Sequence, residues 1–170
     1  QNNIKRVINT GPHFQLVGQS YEEWDYNLNP DMPAQPGTRL YAISKYLGQE
    51  ICKKYSDQFG IKVLTLLYYN MRHHLDLTTP DFEPVEMSTD MTPFTTSWID
   101  CGEAIRCAVE VSEAKLASNL ETFFITPNLP HKKFNSEKTY NILGWKPRYS
   151  LERLWNKEII KSNNHLEDSY

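Results

Sequence analysis

Two side chains with complementary chemistry, Tyr41 and Lys45, lie four residues apart in the segment YAISK. In a helix this spacing places both side chains on one face. A free phenol titrates at about pH 10, too high for a base at neutral pH, and a neighbouring ammonium lowers that pKa by favouring the phenolate. Such a tyrosine can take a proton from a substrate hydroxyl or return one to it. The same spacing also occurs by chance on ordinary helix surfaces, so the pair indicates this chemistry only within a suitable fold.

The pair falls near the start of a helix that the sequence predicts over residues 38–59. Apolar residues recur every four positions and define one stripe, which consists of Ile43, Leu47, Ile51, Tyr55 and Phe59. Such a stripe is typical of the helix face that packs on a core. Tyr41 and Lys45 lie away from the stripe, so we expect the stripe to be buried while the pair points into a cleft. Gly60 is predicted to end the helix.

A strand is predicted on each side of this helix. Residues 4–9 (IKRVIN) indicate a short strand that breaks at Thr10–Pro12, and residues 61–69 (IKVLTLLYY) are so continuously apolar that they fit a strand buried on both faces. A strand, a helix, a tight turn and a buried strand predict an α/β unit with a parallel sheet. Residues 19–38 are polar and rich in turn residues, and predict a surface loop that precedes the helix.

The second half of the chain predicts shorter elements after an irregular stretch at 71–97. Asp100 and Glu103 resemble a capping box, and a helix should follow to about residue 115. Beyond it we predict a strand, two helices and a frayed tail, at 122–126, 136–143, 151–161 and 163–170. The side chains predicted to be buried in this half are Trp98, Cys101, Cys107, Trp145 and Trp155.

Length, charge and composition exclude several classes of protein. The chain has 170 residues, enough for one domain, and its net charge of −3 gives no electrostatic footprint for nucleic acid or an anionic membrane. No apolar run approaches the roughly 20 residues that span a bilayer. The sequence does not open on a signal peptide, and three cysteines make no disulfide framework, so we expect a cytoplasmic protein. His73 and His74 lack a third suitably spaced ligand, and no metal site is predicted.

The glycines exclude the common phosphate-binding loops. Seven glycines occur, never closer than seven positions apart. This spacing contains neither the G-x-G-x-x-G turn of dinucleotide-binding folds nor the Walker loop. A nucleotide site in this chain would therefore be incomplete.

Taken in order, the segments resemble the C-terminal part of an extended short-chain dehydrogenase/reductase of the NAD(P)-dependent epimerase/dehydratase family, the UDP-glucose 4-epimerase type. Each segment is weak alone, and their order gives the resemblance its weight. The six segments that carry it are 7–18 (VINTGPHFQLVG), the acidic pair Glu22 and Glu23, 40–50 (LYAISKYLGQE), 61–70 (IKVLTLLYYN), 98–100 (WID) followed by Ala104, and 143–154 (LGWKPRYSLERL).

The resemblance implies an α/β fold, namely the C-terminal part of a Rossmann-type parallel sheet with a small α/β substrate-binding portion. Residues 1–70 would form the second half of the Rossmann-like domain, 71–162 mostly the substrate-binding portion, and 163–170 a tail. The Gly-rich N-terminal half would be absent from this chain. The implied cofactor is NAD or NADP, and the implied reaction is oxidation–reduction, epimerisation or dehydration of a nucleotide sugar or similar hydroxyl-bearing substrate.

The resemblance also implies roles for individual residues. Tyr41 would be the general acid/base, and Lys45 would lower the pKa of Tyr41 and hold the nicotinamide ribose. Asn70 falls where the family uses an asparagine in substrate or cofactor contact. Trp24, in the loop before the helix, is a further candidate for lining the substrate cleft. Arg72 could contact phosphates, and its alternative is a surface ion pair.

The family's Ser/Thr, which bonds the reacting oxygen, has no clear match. Counting back from Gly18 without a gap puts His13 at that position, and allowing one inserted residue puts Pro12 there. Thr10 is the nearest hydroxyl. A neutral imidazole carries one N–H and can donate to a substrate oxygen. The alternative is that His13 only caps a turn at Gly11–Pro12.

Two hypotheses for function stay open. The first is an enzyme joined to the absent half, either in one chain or through a partner chain that supplies it. The second is a non-catalytic structural or interaction protein that retains the second half of the fold. The resemblance further implies a possible homodimer through the 38–59 helix.

Overall fold

The computed structural model describes residues 4–18, 24–73, 92, 94–129 and 132–149. In chain order the elements are β1 (Arg6–Pro12), α1 (Phe14–Val17), α2 (Leu40–Phe59), β2 (Lys62–Tyr68), β3 (Met71–Arg72), β4 (Thr96–Ser97), α3 (Trp98–Glu110), a 3-10 helix (Glu113–Lys115), β5 (Leu120–Ile125) and a π-helix (Thr139–Leu143). The last predicted helix with Trp155, the predicted tail, the acidic pair Glu22 and Glu23, and His74 lie outside the described residues.

Three parallel strands form the sheet that carries the candidate site, in the order β1-β2-β5. The predicted α/β fold with a parallel sheet is confirmed. The predicted break at Thr10–Pro12 is wrong, because β1 continues through these residues with Gly11 opposite Leu67 and Pro12 opposite Tyr68. Proline is tolerated there since Pro12 ends a strand at the edge of the described sheet.

Strand β2 is buried on both faces, as its continuous apolar run predicted. Side chains of a strand alternate between the two faces of the sheet. Leu64, Leu66 and Tyr68 belong to a core cluster with α3 and Trp145, which is fully buried as predicted. Leu67 belongs to a second cluster, which contains residues of α1 and the loop before α2.

Helix α2 begins two residues later than predicted and ends at Phe59 as predicted, with Gly60 in the left-handed region at φ 67°. The prediction that its apolar stripe is buried is wrong. Of the five stripe residues only Ile43 is half-buried, and the other four, Leu47, Ile51, Tyr55 and Phe59, are 52–60% exposed. The buried residues of α2 are Ala42 and Ser56, whose small side chains let the helix approach the sheet. The large apolar side chains therefore point away from it.

The N-cap of helix α3 lies three residues earlier than the sequence predicted. Its N-cap is Ser97, whose Oγ accepts from the Asp100 backbone N–H at 3.0 Å and donates to the Asp100 carboxylate at 2.8 Å. The capping pair is thus Ser97 with Asp100, and the predicted pair of Asp100 with Glu103 is wrong. The helix ends at Glu110 rather than at about 115, and the 3-10 helix follows.

Burial in the second half agrees only in part with the predictions. Trp98 is 60% exposed, so its predicted place in the core is wrong, because it stands in the first turn of α3 on the outer side. Cys101 is buried, and Cys107 is half-buried. The predicted strand at 122–126 is β5, and the predicted helix at 136–143 is mostly the π-helix, which ends at Gly144 in the left-handed region.

The loop before α2 is described from residue 24 and is attached to the segment that follows β5. Leu28 forms an isolated parallel bridge with Phe134. The Lys138 ammonium bonds both carboxylate oxygens of Asp31, at 2.6 and 2.8 Å. These contacts fix the path by which the chain enters α2. Within the described residues no helix is long and apolar enough to cross a membrane.

Candidate active site

A cavity of about 430 Å³ lies at the carboxyl end of β1, with α2 on one side and α3 on the other. It brings together three of the four predicted catalytic residues: Thr10 from β1, and Tyr41 and Lys45 from α2. Its other lining residues are Gly11, Pro12, Phe14, Tyr68, Tyr69, Met71, Cys101 and Ile105. Ligand sites in open α/β folds lie at this end of the strands. The cavity is therefore the candidate active site.

Tyr41 and Lys45 occupy successive turns near the start of α2. The Lys45 ammonium lies 5.8 Å from the centroid of the Tyr41 ring. Tyr41 is 55% exposed, whereas Lys45 is half-buried. The four-residue spacing thus sets an ammonium beside a phenol that a substrate entering the cavity can reach.

His13, the fourth predicted catalytic residue, does not line the cavity. Its imidazole is buried and stacks on the ring of Tyr69, with the centroids 4.3 Å apart. Burial lowers the pKa of His13 to about 4, and a hydrogen bond to the backbone of Tyr68 opposes this shift only in part. The imidazole is therefore neutral at pH 7 and packed among aromatic rings. It does not cap a turn at Gly11–Pro12 either, because those residues belong to β1.

The three predicted substrate contacts lie outside the lining of the cavity. Asn70 is half-buried, and its carbonyl accepts from the Thr96 backbone N–H at 2.9 Å. Arg72 belongs to the short strand β3, opposite Ser97. Trp24 is half-buried and packs against the second core cluster.

Two buried polar groups of the cavity are held in their neutral forms. The Tyr68 hydroxyl donates to the Cys101 carbonyl at 3.3 Å, and burial raises the pKa of Tyr68. Burial, with a smaller contribution from the charge of Asp100, raises the pKa of the Cys101 thiol to about 12. Cys101 therefore stays a neutral thiol at pH 7 and is no nucleophile there.

Sequence reasoning missed several residues of the cavity. Phe14 lies two residues after the end of β1 and packs its ring against that of Tyr41, edge to face at 5.7 Å. Met71, Cys101 and Ile105 form the wall opposite α2. The four-residue interval between Cys101 and Ile105 was a helical signal that they share a face, but nothing in the sequence indicated what the face would meet.

Solved structures of a uronate dehydrogenase, a UDP-glucose 4-epimerase and a short-chain dehydrogenase/reductase superfamily protein have the same fold. A mutated uronate dehydrogenase is 19% identical over 92% of this chain, with a TM-score of 0.59. UDP-glucose 4-epimerase from Thermotoga maritima, solved with UDP-glucose, is 16% identical over 96%, with a TM-score of 0.59. A short-chain dehydrogenase/reductase superfamily protein from Agrobacterium tumefaciens, solved with NAD bound, is 13% identical over 96%, with a TM-score of 0.61. No protein-family model and no curated protein sequence matches the chain.

The chain spans only part of each of these structures: 50% of the uronate dehydrogenase, 65% of the epimerase and 69% of the Agrobacterium protein. The structural likeness establishes the fold, and at identities this low it leaves the activity open. The Rossmann-type fold that the sequence resemblance implied is confirmed, and the chain corresponds to a part of it.

Proposed function

We propose that the chain is the C-terminal part of an extended short-chain dehydrogenase/reductase, acting with NAD or NADP on a nucleotide sugar or similar hydroxyl-bearing substrate. The reaction would be oxidation–reduction, epimerisation or dehydration. Residues 1–70 would complete the cofactor domain, and residues 71–162 would mostly bind the substrate. A Gly-rich half that holds the pyrophosphate would come from the same polypeptide or from a partner chain.

One observation carries the proposal, namely the shared cavity of Thr10, Tyr41 and Lys45 at the carboxyl end of the strands. The bound ligands named for the solved structures of this fold, UDP-glucose and NAD, support the ligand classes. The three free thiols of the described chain fit a reducing compartment, so we expect the reaction in the cytoplasm.

In the proposed reaction the ammonium of Lys45 stabilises the phenolate of Tyr41, which takes the proton of the substrate hydroxyl and becomes the phenol. Thr10 can donate its hydroxyl proton to the same substrate oxygen from the other side of the cavity. His13 would contribute through packing rather than by contact with substrate, because its imidazole is buried. NAD(P), when bound, accepts and returns the hydride.

The chain's own residues fit a nicotinamide cofactor at this place. Pro12, Met71 and Ile105 give the cavity apolar walls of the kind that receive a flat ring. Among the described residues the ammonium of Lys45 contacts the Tyr41 ring and forms no ion pair, so its donors are available to ribose hydroxyls. Asn70, Arg72 and Trp24 lie outside this cavity and remain candidates for contact with the remainder of the substrate.

The experiment uses the intact natural protein with NAD⁺ or NADP⁺ and two substrates, UDP-glucose and a free uronate. Replacing Tyr41 with Phe removes the proton-transferring oxygen, so we expect turnover to fall at least about 100-fold while cofactor binding persists. The matched control is Tyr46→Phe, which changes a tyrosine of the same helix outside the cavity and should leave turnover unchanged. Full activity of the Tyr41→Phe variant would contradict the assignment.

A non-catalytic interaction protein is the second candidate, and the exposed stripe on α2 favours it. Such a surface fits a second copy of the chain, and a dimer is compatible with both candidates. If the intact protein binds neither NAD⁺ nor NADP⁺, the result favours the interaction protein. Cofactor binding together with turnover favours the enzyme.

A further inference from the structure

The one-turn helix α1 contacts α2 at two points, each four residues from Lys45. Phe14 packs its ring edge to face against Tyr41, with the centroids 5.7 Å apart. The neighbouring Gln15 donates from its side-chain Nε2 to the side-chain Oε1 of Gln49 at 2.5 Å. Tyr41, Lys45 and Gln49 lie on successive turns of α2, so adjacent residues of α1 hold the helix on both sides of the lysine.

Helix α1 is itself attached firmly to the sheet. The His13 backbone N–H, just before the helix, donates to the Tyr68 carbonyl at 2.7 Å. Leu16 and Val17 are buried in the second core cluster. The Leu16 carbonyl accepts from the Gln35 backbone N–H at 2.7 Å. A helix fixed at its start, along its core face and at its end can serve as a rigid support for α2.

The carboxamide of Gln15 fills the gap between the end of β1 and α2. Gln15 is 1% exposed. A Cβ placed on Gly11 would lie 1.8 Å from the Gln15 Oε1, so any larger residue at position 11 would displace the carboxamide. Gly11 also lines the cavity beside Tyr41. The glycine and the glutamine are thus matched, and together they set the distance between β1 and α2.

Among the described residues, Ala42 is the fully buried side chain at this end of α2. The buried residues of the whole helix are Ala42 and Ser56, and the large apolar side chains point outward. Tyr41 is 55% exposed, so its rotamer is not determined by a tight enclosure. The ring of Phe14 and the hydrogen bond of Gln15 are therefore the contacts that can determine where the phenol and the ammonium stand.

We propose that Phe14 and Gln15 are positioning residues, which orient Tyr41 and Lys45 toward Thr10 across the cavity. Neither residue transfers a proton. Phe14 restricts the rotation of the Tyr41 ring, and Gln15 holds the turn of α2 that follows Lys45. The catalytic meaning of this arrangement rests on the proposed function, whereas the arrangement itself can be tested without any activity.

The first measurement is the ¹⁹F spectrum of the intact protein labelled with 3-fluorotyrosine. The Tyr41 resonance is assigned by its loss in Tyr41→Phe. We expect Phe14→Leu, which keeps an apolar side chain but removes the ring, to shift the Tyr41 resonance, and Phe14→Tyr to restore it. Gln15→Met keeps the volume without the hydrogen bond, and amide exchange at residues 45–49 should become about tenfold faster than in the natural protein.

The matched control is Tyr55→Leu, which removes an exposed ring from the far end of the same helix and should change neither readout. A double replacement of Gln15 and Gln49 by Met should accelerate exchange no more than either single change, since the pair acts as one contact. Folded Phe14→Leu and Gln15→Met variants with an unchanged Tyr41 resonance and unchanged exchange would overturn the proposal.

Turnover then separates the two proposals. With NAD⁺ and UDP-glucose, we expect Phe14→Leu and Gln15→Met to lower kcat about tenfold with little change in the KM for NAD⁺. A Tyr41 resonance that responds in a protein without turnover supports the positioning role and contradicts the proposed function. Loss of turnover in Tyr41→Phe, with kcat unchanged in both α1 variants, supports the proposed function and contradicts the positioning role.

Discussion

The two long helices flank the same three-stranded sheet and differ in how they are attached to it. Helix α3 buries Cys101, Ala104 and Ala108, and its N-terminal carboxylate, Asp100, is fully buried. Helix α2 is seven residues longer, 20 against 13, but buries only Ala42 and Ser56. Length and apolar content therefore do not decide which helix is tied more strongly to the sheet.

The difference lies in the hydrogen-bond partners that the polar groups of each helix have. The Asp100 carboxylate accepts from the Ser97 hydroxyl and from the backbone N–H groups of Arg148 and Tyr149, at 2.8 to 3.1 Å. The Asp100 carbonyl also accepts from Trp145 Nε1 at 2.9 Å. Helix α3 thus ties the chain after the π-helix to the core. Helix α2 instead presents Tyr41 and most of its apolar stripe at the surface.

The largest effect should come from Asp100→Ala. Its removal leaves the Ser97 hydroxyl and two backbone N–H groups without their buried acceptor, at a cost of about 3 kcal/mol in the free energy of unfolding. For a domain of this size that corresponds to a fall of roughly 6 to 12 °C in Tm. Urea unfolding and thermal melting followed by circular dichroism measure both quantities.

The matched variant on α2 is Asp57→Ala, which removes an exposed carboxylate. Its free energy of unfolding should stay within about 0.5 kcal/mol of the natural value. Equal destabilisation by the two variants would contradict the contrast between the helices.

On the α2 side of the sheet His13 is a buried titratable group, and it should make stability depend on pH. An unfolded histidine has a pKa of about 6.5, and burial lowers the pKa of His13 to about 4. Between these values the unfolded chain binds more protons than the folded one, so the free energy of unfolding falls as the pH is lowered. The slope should reach about 1.4 kcal/mol per pH unit, and the contribution is complete above about pH 6.5.

The measurement is the urea-derived free energy of unfolding at several pH values from 7 to 4. Replacing His13 with Phe keeps an aromatic ring against Tyr69 and removes the titrating group. The difference between the two proteins isolates His13, because the carboxylates titrate in both. The Tyr46→Phe variant keeps His13 and should retain the natural slope. Parallel curves for the natural protein and the His13→Phe variant would contradict a neutral buried imidazole.

Local signals predicted the elements that hold the site. Helix α2 and Gly60 follow from periodicity and from the left-handed conformation that glycine adopts easily, and β2 follows from a continuous apolar run. The prediction that Tyr41 and Lys45 lie side by side depended only on helix geometry. These predictions hold because each depends on residues close together in the chain.

The failed predictions around the site depended on distant partners. The continuation of β1 through Gly11 is fixed by pairing with β2, 56 residues further along the chain, and the single sequence carries no sign of it. The apolar stripe on α2 identified one apolar face of the helix, but the sequence does not indicate what covers that face. His13 matched a family position by counting, whereas its surroundings come from Tyr69 and Phe134. Phe14 had no pattern to identify it.

The smallest effect on folding should come from the α2 stripe, and it tests what that surface is for. Replacing Ile51 with Gln changes a side chain that is 60% exposed, so the free energy of unfolding per chain should change by no more than about 0.5 kcal/mol. If two copies pair through the stripe, the same change buries an amide without a partner and weakens the dimer. Analytical ultracentrifugation over a range of concentrations measures the association.

The control is Val109→Gln on α3, which alters a comparably exposed apolar residue, 57% against 60% for Ile51. Only the α2 variant should shift the association toward the monomer, because the stripe continues over five turns of α2 whereas Val109 ends a shorter helix. An equal shift in both variants would assign the contact to general surface hydrophobicity. If the natural protein is monomeric at every concentration, the proposed dimer is excluded, and the stripe would instead contact a chain of different sequence.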